Sequence, residues 1–189
     1  MPVIFFAGAP VILAPSESPG SALLRLFDKF WKLGRGRDGG QRSRLMLVGQ
    51  AGFGWSRIRT AIIGSRYRQD IEICGYLKRE AMEELLQTAD LFVYPSVYEG
   101  FGLPILEAMA CGTPVVCSRA ASLPEVAGNA AEYFEPASVE DLAAAIERVL
   151  SSTERQAELR RKGLERAKLF SWEECARRTL EVYREVMQK

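Results

Sequence analysis

The stretch of residues 94–117 constrains the fold of this chain more than any other part of the sequence. Its two ends belong to short apolar runs, residues 90–94 and 114–117, and each run is typical of a buried strand. Two glycines after the first run predict a loop, and residues 103–111 then predict a helix that is closed by Gly112. A strand, a loop, a helix and a second strand in this order form the unit that builds parallel sheets.

The loop of this unit carries groups that suit a ligand with both phosphate and hydroxyl groups. Gly100 and Gly102 allow the backbone to approach a ligand closely, and the helix N-terminus near Leu103 offers unpaired N–H groups and a partial positive charge. Glu99 precedes the helix, and Glu107 lies about one turn inside it at ~3.6 residues per turn. Carboxylates beside a phosphate site accept hydrogen bonds from hydroxyls, as an acidic residue does with ribose in dinucleotide folds. A nucleotide sugar fits this combination.

The same stretch resembles the donor-binding C-terminal domain of retaining glycosyltransferases with the GT-B fold, in the group 1 glycosyl transferase family. The family pattern, Glu-Gly-Phe-Gly-Leu-Pro-x-x-Glu-Ala-Met-Ala-x-Gly-x-Pro-Val, stands complete from Glu99 to Val115. Within this family, a mannosyltransferase is one member that the chain could resemble. Two glutamates at this spacing would also fit an ordinary strand–helix–strand unit with surface glutamates, but the whole pattern is specific.

The resemblance implies a role for each residue of the site. Glu99 would contact hydroxyls of the transferred sugar, which makes it the candidate catalytic residue, and Glu107 would hold the ribose hydroxyls. The other donor-binding candidates lie in two loops, at Gly100, Phe101, Gly102 and Leu103, of which the last three would turn their backbone amides to the sugar and phosphate, and at Gly75, Tyr76 and Leu77 beside the base. Retaining members need no metal, so the resemblance implies no metal site and no cofactor besides the donor substrate itself.

The first 43 residues match the family less well than residues 44–189 do. Residues 2–7 predict a first strand, residues 8–20 predict a loop that is rich in proline, and residues 21–33 predict a helix with apolar side chains at helical spacing. We therefore expect this region to be an atypical start of the same domain.

The resemblance implies two cations that this sequence lacks at the matching positions. In the family, an arginine after the first strand and a lysine before the first helix clamp the pyrophosphate of the donor. Ala9 stands where the arginine is expected, and Ser18 stands where the lysine is expected. Charge-assisted contacts contribute ~1.5–3 kcal/mol each, so the loss of both would weaken donor binding by ~100-fold or more. Either the alignment is slipped over these residues, or the protein is compromised as a catalyst.

Beyond residue 44, apolar periodicity predicts strands and helices in alternation. The strands are expected at 44–48, 71–74, 90–94, 114–117 and 131–134, and the helices at 55–66, 78–89, 103–111, 139–150, 154–168 and 172–187. The glycine-rich turn at residues 49–54 could touch phosphate, but it lacks the full spacing of a nucleotide-binding fingerprint. Phe170 and Trp172 would either pack on this domain or mark the start of a helix that crosses to a partner domain.

These elements predict an α/β fold, a single Rossmann-like doubly wound domain with a mostly parallel sheet and a helical C-terminal tail, as in the C-terminal half of a GT-B fold. Residues 1–43 would open the domain with a strand, a loop and a helix. Residues 44–170 would form its nucleotide-sugar-binding body, and residues 171–189 would form a C-terminal crossover helix. A whole enzyme of this type has two such domains with the active site between them, so the acceptor-binding half is expected to be missing here.

Composition narrows the range of partners and mechanisms. The net charge of +1 gives no reason to expect nucleic acid, and the absence of histidine excludes every mechanism with a histidine base or ligand within this chain. The four cysteines show no ligand pattern, and we expect them to be reduced, with three in or next to core elements. No stretch reaches the ~20 apolar residues of a membrane helix. A location in the cytoplasm, or at the inner face of the membrane, follows as an expectation.

Together these features predict a domain that binds a nucleotide sugar, such as a GDP- or UDP-hexose, for retaining transfer of the hexosyl group to a glycan or lipid acceptor, as in polysaccharide biosynthesis. The alternative is a degenerate module that binds a nucleotide sugar, or only a partner subunit, without catalysis. The missing cations favour that alternative, so enzymatic activity stays open. A hydrolase or sugar phosphorylase on the same fold is a third hypothesis. Without the surface that it crosses to, the C-terminal helix would favour self-association.

Overall fold

The computed structural model describes residues 3–5, 11–13, 44–49, 55–96, 98–136 and 138–188. Within these ranges the chain forms seven strands, namely β1 (Val3–Phe5), β2 (Val11–Leu13), β3 (Leu45–Val48), β4 (Ile71–Gly75), β5 (Leu91–Tyr94), β6 (Val115–Ser118) and β7 (Glu132–Phe134). It also forms seven α-helices there, namely α1 (Trp55–Gly64), α2 (Arg79–Thr88), α3 (Leu103–Ala110), α4 (Leu123–Ala127), α5 (Val139–Leu150), α6 (Thr153–Ala167) and α7 (Trp172–Met187).

The strands form one sheet, whose parallel part has the order β4-β3-β2-β5-β6-β7. β1 is the exception, because it pairs with β3 in antiparallel register. The chain enters the parallel part at its centre in β2, builds outward through β3 and β4, and then places β5, β6 and β7 on the other side of β2. The strand order therefore reverses between β2 and β5. Sheets of this kind bind ligands at such a reversal, outside the carboxyl ends of the strands.

The α/β class, the parallel sheet and the C-terminal helix are confirmed, but the N-terminal prediction is wrong in one respect. The segment 8–20 is not all loop, since β2 lies within it and takes the central place in the sheet. The apolar run of β2 suits a buried strand. Its flanking residues, Pro10 and Pro15, are loop signals that conceal a strand of three residues. The helix predicted over 21–33 and the turn residues 50–54 lie outside the described residues.

From β3 onward, the elements follow the sequence prediction to within a few residues. Two short elements have no counterpart in that prediction, a 3-10 turn at Arg68–Asp70 and the five-residue helix α4. α4 starts with Leu123 and Pro124, and proline suits this place because its missing N–H would be unpaired there in any case.

Helices cover both faces of the sheet, as a doubly wound fold requires. β5 shows the arrangement, since Leu91 and Val93 face a core built with α1, α5 and α6, whereas Phe92 and Tyr94 face a core built with α2, α3 and α4. All four residues of β5 are buried. A parallel strand that is covered on both faces reads in the sequence as a continuous apolar run, which is why β5 and β6 were predictable.

The C-terminal helix α7 does not take part in either core. None of its described residues is buried, and Trp172 at its start is 78% exposed. Phe170, just before the helix, is partly buried against the core of α2, α3 and α4. Packing on this domain therefore holds for Phe170 and not for Trp172. None of the helices in the described part of the chain is long and apolar enough to cross a membrane.

All four cysteines are free thiols, as the sequence predicts. Cys117 is buried, Cys74 and Cys111 are partly buried, and Cys175 on α7 is exposed. Burial raises the pKa of the Cys74 thiol to about 11, so this side chain stays protonated at neutral pH.

Candidate functional site

The loop that carries Glu99 lies at the reversal of the strand order. It follows β5, which is one of the two strands at the reversal, and it leads into α3. The described part of this loop comprises residues 95–96 and 98–102. Its position is the one at which doubly wound sheets bind ligands, so the sequence pattern and the topology point to the same place.

Two hydroxyl groups hold one oxygen of the Glu99 carboxylate. The Tyr94 hydroxyl donates to Oε1 of Glu99 at 2.8 Å, and the Ser96 hydroxyl lies at the same distance of 2.8 Å from that oxygen. The Ser96 hydroxyl also lies 3.0 Å from the carbonyl of Tyr98. Within the described residues, Oε2 of Glu99 receives no hydrogen bond, so it is open to a ligand hydroxyl.

Tyr94 acts as a fixed donor toward Glu99. The residue is 1% exposed, and its ring stacks on Phe92 with centroids 5.8 Å apart. Burial raises the pKa of Tyr94 well above its usual range, and the hydrogen bond to Glu99 and the charges of Glu99 and Glu107 raise it further. The phenol therefore keeps its proton. Glu99 lies in the loop that leads into α3, and Glu107 lies about one turn inside that helix.

Serines from the neighbouring strand and turn fix the backbone of the loop. The Ser122 hydroxyl, at the start of α4, lies 2.9 Å from the carbonyl of Glu99 and 3.1 Å from the carbonyl of Phe101. The Ser118 hydroxyl, at the end of β6, donates to the carbonyl of Ser96. The loop after β5 is thus tied to the turn after β6, and its shape depends on both.

The two glycines of the loop have different roles. Gly102 has a φ of 101°, in the left-handed region, and a Cβ placed on it would lie 2.6 Å from Cδ2 of Leu123. Only glycine fits there, for both steric reasons. A Cβ on Gly100 would meet no atom within 4 Å among the described residues. Gly102 therefore shapes the loop, whereas Gly100 faces open space that a ligand could fill.

The N-terminus of α3 presents unpaired amides to that space. Gly102 is the N-cap of α3 and offers no side-chain cap, and its carbonyl accepts from Ile105 at 3.0 Å. In the part of the chain that the structure describes, no acceptor takes a hydrogen bond from the amides of Phe101, Gly102 or Leu103. Such amides suit an anionic or electron-rich oxygen.

Glu107 differs from Glu99 in its surroundings. It lies on α3, it is exposed, and it makes no side-chain hydrogen bond or ion pair with any described residue. Its carboxylate is therefore available in full to a ligand. One glutamate of the pair is held by the protein, and the other is free.

The loop predicted to hold the base leaves the same edge of the sheet, three strand positions away from β5. Gly75 has a φ of 64°, and its carbonyl accepts from the amide of Gly49 at 2.7 Å. Tyr76 is 73% exposed, while Leu77 packs on the core. Three strand spacings amount to roughly 14 Å, a span that only an extended ligand such as a nucleotide sugar could bridge.

Two described arginines near this edge already have partners. Arg119, directly after β6, lies 3.7 Å from Glu135 and 4.8 Å above the ring of Tyr133. Arg79 at the start of α2 pairs with Glu83 at 2.7 Å. Neither guanidinium replaces the missing pyrophosphate clamp without first leaving these contacts.

An arginine is also absent directly after the central strand. Ala9 and Ser18 lie outside the described residues, but the central strand β2 ends at Leu13. The first residue after that strand is Ala14, which carries no charge either. Neither Ala9 nor Ala14 therefore supplies the arginine that the resemblance implies.

Sequence reasoning found the glutamates and glycines of the loop and missed the hydroxyl groups around them. Tyr94, Ser96, Ser118 and Ser122 all bond to the loop or to Glu99. Ser96 and Ser118 are 2% and 0% exposed, and Ser118 ends an apolar strand while Ser96 lies two residues after one. A polar residue at the end of a buried strand is the signal that could have identified them.

Known proteins resemble this chain in sequence. A model of the family described as "Glycosyl transferases group 1" matches residues 22–166. The chain is 46% identical over 114 residues to O-antigen chain mannosyltransferase B of Escherichia coli, a match that covers 60% of this chain and 30% of the relative. It is 42% identical over 117 residues to the MMP alpha-(1->4)-mannosyltransferase of Mycolicibacterium hassiacum, a match that covers 60% of this chain and 28% of the relative. The matched region thus spans less than a third of either relative.

The fold is similar to that of solved structures. Sucrose-phosphate synthase from Thermosynechococcus elongatus superposes with a TM-score of 0.77 at 26% identity, and the superposition covers 94% of this chain and 45% of that one. The likeness to a part of a larger chain agrees with the sequence matches.

Proposed function

The chain belongs to the group 1 glycosyl transferase family, and on that premise we propose that it is the nucleotide-sugar-binding domain of a retaining glycosyltransferase. The donor is a GDP- or UDP-hexose, and the hexosyl group passes to a glycan or lipid acceptor that a second domain holds. The matched region spans less than a third of either mannosyltransferase relative, so the activity of a whole enzyme is itself proposed.

The observation that carries the proposal is the pairing of two glutamates with unpaired amides at one point of the sheet. Glu99 offers a free carboxylate oxygen, Glu107 offers two, and the amides of Phe101, Gly102 and Leu103 lie between them in sequence. Carboxylates bind hydroxyls and helix amides bind phosphate oxygens. In this arrangement Glu107 holds the ribose, the amides hold the phosphate and sugar oxygens, and Glu99 orients the transferred sugar.

Mannose is the hexose to test first. Both curated relatives described above carry mannosyltransferase names, at 46% and 42% identity. Neither the base nor the acceptor follows from the described residues, so GDP- and UDP-sugars are tested together.

The alternative is a degenerate module that binds a nucleotide sugar without catalysis. The observation in its favour is that Ala14 follows the central strand and that two described arginines near the site, Arg119 and Arg79, are already paired. The observation against it is the open carboxylate geometry of Glu99 and Glu107.

Calorimetric titration of the purified chain with GDP-mannose, UDP-glucose and ADP-glucose tests the proposal. We expect one of the first two to bind in preference to the others, and to bind more tightly than the matching nucleoside diphosphate, because the sugar adds contacts to Glu99. No measurable binding of any nucleotide sugar would contradict the proposal. Binding without transfer, after an acceptor domain of a relative is added, would favour the degenerate module.

Two variants test the proposed roles of Glu107 and Glu99. Glu107→Ala removes the proposed hydrogen bonds from the ribose to a charged acceptor, each of which contributes ~1.5–3 kcal/mol, so the affinity for the nucleoside diphosphate should fall at least tenfold. Glu99→Gln should weaken binding of the nucleotide sugar with little change for the nucleoside diphosphate. Glu147→Ala on α5 is the matched control, since Glu147 is an exposed helical glutamate on the other face of the sheet.

Further parts of the proposal follow from the family resemblance. We propose that transfer requires no metal ion and that it requires a second domain to position the acceptor, because positioning alone contributes ~7–11 kcal/mol to the lowering of such barriers. Transfer by the chain alone should then be undetectable. Unchanged donor binding by the chain in the presence of a chelator, and unchanged turnover once an acceptor domain of a relative is added, would support the first point.

A further inference from the structure

The Glu99 side chain is unusual among the described glutamates of the site because buried groups hold it. Tyr94 and Ser96 both contact the same oxygen, Oε1, at 2.8 Å. Both donors are almost fully buried, at 1% and 2% exposure, and both are uncharged hydroxyls. A carboxylate that accepts two bonds on one oxygen keeps the lone pairs of its other oxygen for a ligand.

The two donors are themselves fixed, so the geometry is built into the domain. Tyr94 is the last residue of β5 and stacks on Phe92. Ser96 is held through its carbonyl, which accepts from the Ser118 hydroxyl at the end of β6. The two hydroxyls are therefore fixed in place, and their bonds favour the observed rotamer of Glu99.

We propose that Tyr94 and Ser96 are positioning residues, which clamp Oε1 of Glu99 and thereby aim Oε2 at a hydroxyl of the donor sugar. This inference rests on the proposed function and deepens it, since it assigns the sugar end of the ligand to a preorganised carboxylate. A free glutamate has three side-chain torsions to order when it binds a ligand, and a clamped one has already lost that freedom.

Glu107 provides the internal contrast. No described residue donates to its carboxylate, so removal of the clamp leaves the ribose end of the site unchanged. The clamp should therefore affect the nucleotide sugar and not the nucleoside diphosphate. A general loss of structure would affect both ligands.

The test compares Tyr94→Phe, Ser96→Ala and the double variant in calorimetric titrations with the preferred nucleotide sugar and with its nucleoside diphosphate. We expect each single variant to bind the nucleotide sugar about fivefold more weakly and the double variant about 20-fold more weakly, in line with the loss of one and two hydrogen bonds. Affinity for the nucleoside diphosphate should stay within twofold. Equal losses for the two ligands, or no loss for either, would overturn the proposal.

Tyr133→Phe is the matched control. Tyr133 is another tyrosine whose hydroxyl bonds to the protein, but it donates at 2.6 Å to the carbonyl of Gly128 and not to the Glu99 carboxylate. This variant should leave the affinity for both ligands unchanged. Urea unfolding of every variant shows which of them keep the fold.

A second measurement separates failure of the clamp from failure of the proposed function. Crystal structures of the unsubstituted chain and the double variant report the Glu99 rotamer without any ligand. We expect a single ordered rotamer in the former and several rotamers in the latter. One rotamer in both would overturn the clamp even if nucleotide sugars bind. Absence of nucleotide-sugar binding by the unsubstituted chain would instead overturn the proposed function, and the rotamers would still decide whether the hydroxyls hold Glu99.

Discussion

The helices α3 and α7 differ in how far the domain buries their apolar side chains. In α3, Ile105, Ala108 and Met109 are all 0% exposed. In α7, none of the residues is buried, and Trp172 and Met187 at its two ends are 78% and 86% exposed. The domain buries one face of α3, whereas the apolar side chains of α7 stay largely exposed.

Local interactions, rather than burial of side chains, stabilise α7. Its N-cap, Ser171, accepts a hydrogen bond from the amide of Glu174 at 3.1 Å. Glu174 also pairs with Arg177 and Arg178, both at 2.6 Å. Caps and exposed ion pairs specify where a helix begins, but exposed pairs contribute little stability. An amphipathic pattern thus predicts that a helix forms, and it does not predict which surface covers it.

The largest effect should come from Gly102, which sets the start of α3. In Gly102→Ala, the new Cβ would lie 2.6 Å from Cδ2 of Leu123, and the alanine would have to adopt the left-handed backbone conformation of Gly102. Strain and overpacking together should cost about 4 kcal/mol of unfolding free energy. Gly100→Ala is the control, since its Cβ meets nothing described within 4 Å, and it should cost less than about 1 kcal/mol. If urea unfolding gave the same loss of unfolding free energy for Gly102→Ala and Gly100→Ala, the contact with Leu123 and the left-handed backbone would not be the cause of the loss.

A matched pair of methionines tests the contrast between the helices directly. Met109 on α3 is 0% exposed, and Met187 on α7 is 86% exposed. Met109→Ala leaves a cavity in the core and should lower the unfolding free energy by about 3 kcal/mol. Met187→Ala removes a side chain that contacts almost only solvent, and its effect should stay within about 0.5 kcal/mol. A similar loss for both variants in denaturant titrations would mean that α7 is covered in solution.

The exposed face of α7 should affect association more than stability. Leu180 and Tyr183 are 53% and 62% exposed, and exposed apolar patches promote contacts between molecules. We expect Leu180→Gln with Tyr183→Gln to lower the fraction of dimers or larger species in sedimentation velocity runs, and to change the unfolding free energy by less than about 1 kcal/mol. A monomeric unsubstituted chain at all concentrations would contradict self-association through this helix.

The smallest effect concerns the ion pairs of α7. Hydrogen bonds from Arg177 and then Arg178 lower the pKa of Glu174 to about 2. A lowered pKa contributes stability above the unfolded value of 4.5, and that contribution disappears as the pH falls from 4.5 toward 2. Helical carbon shifts in the first turn of α7 should therefore decrease over this range. Glu174→Gln should remove that step, and high salt should weaken it because the group is exposed. A step that persists in Glu174→Gln would assign it to another carboxylate.

The sequence predicted an element correctly where its residues all favoured the same structure, and the prediction failed where they favoured two different structures. β5 and β6 are buried on both faces, so their continuous apolar runs were sufficient to predict them. β2 is equally apolar, but Pro10 and Pro15 beside it signal a loop, and a strand of three residues is too short to show periodicity. In the candidate site, Glu99 and Glu107 were found through a pattern. The hydroxyls of Tyr94 and Ser96 were missed because their partners depend on the three-dimensional path of the loop.

The central place of β2 has a consequence for the order of folding. Val11 pairs with Leu45 on one side and with Leu91 on the other, so its second neighbour lies about 80 residues downstream. During synthesis at about 5–20 residues per second, the strand at the middle of the sheet has an open edge for several seconds after it leaves the ribosome. Closure of that long loop is an entropic barrier. We expect the N-terminal half to depend on the arrival of β5, and to be the part of the nascent chain that chaperones must protect.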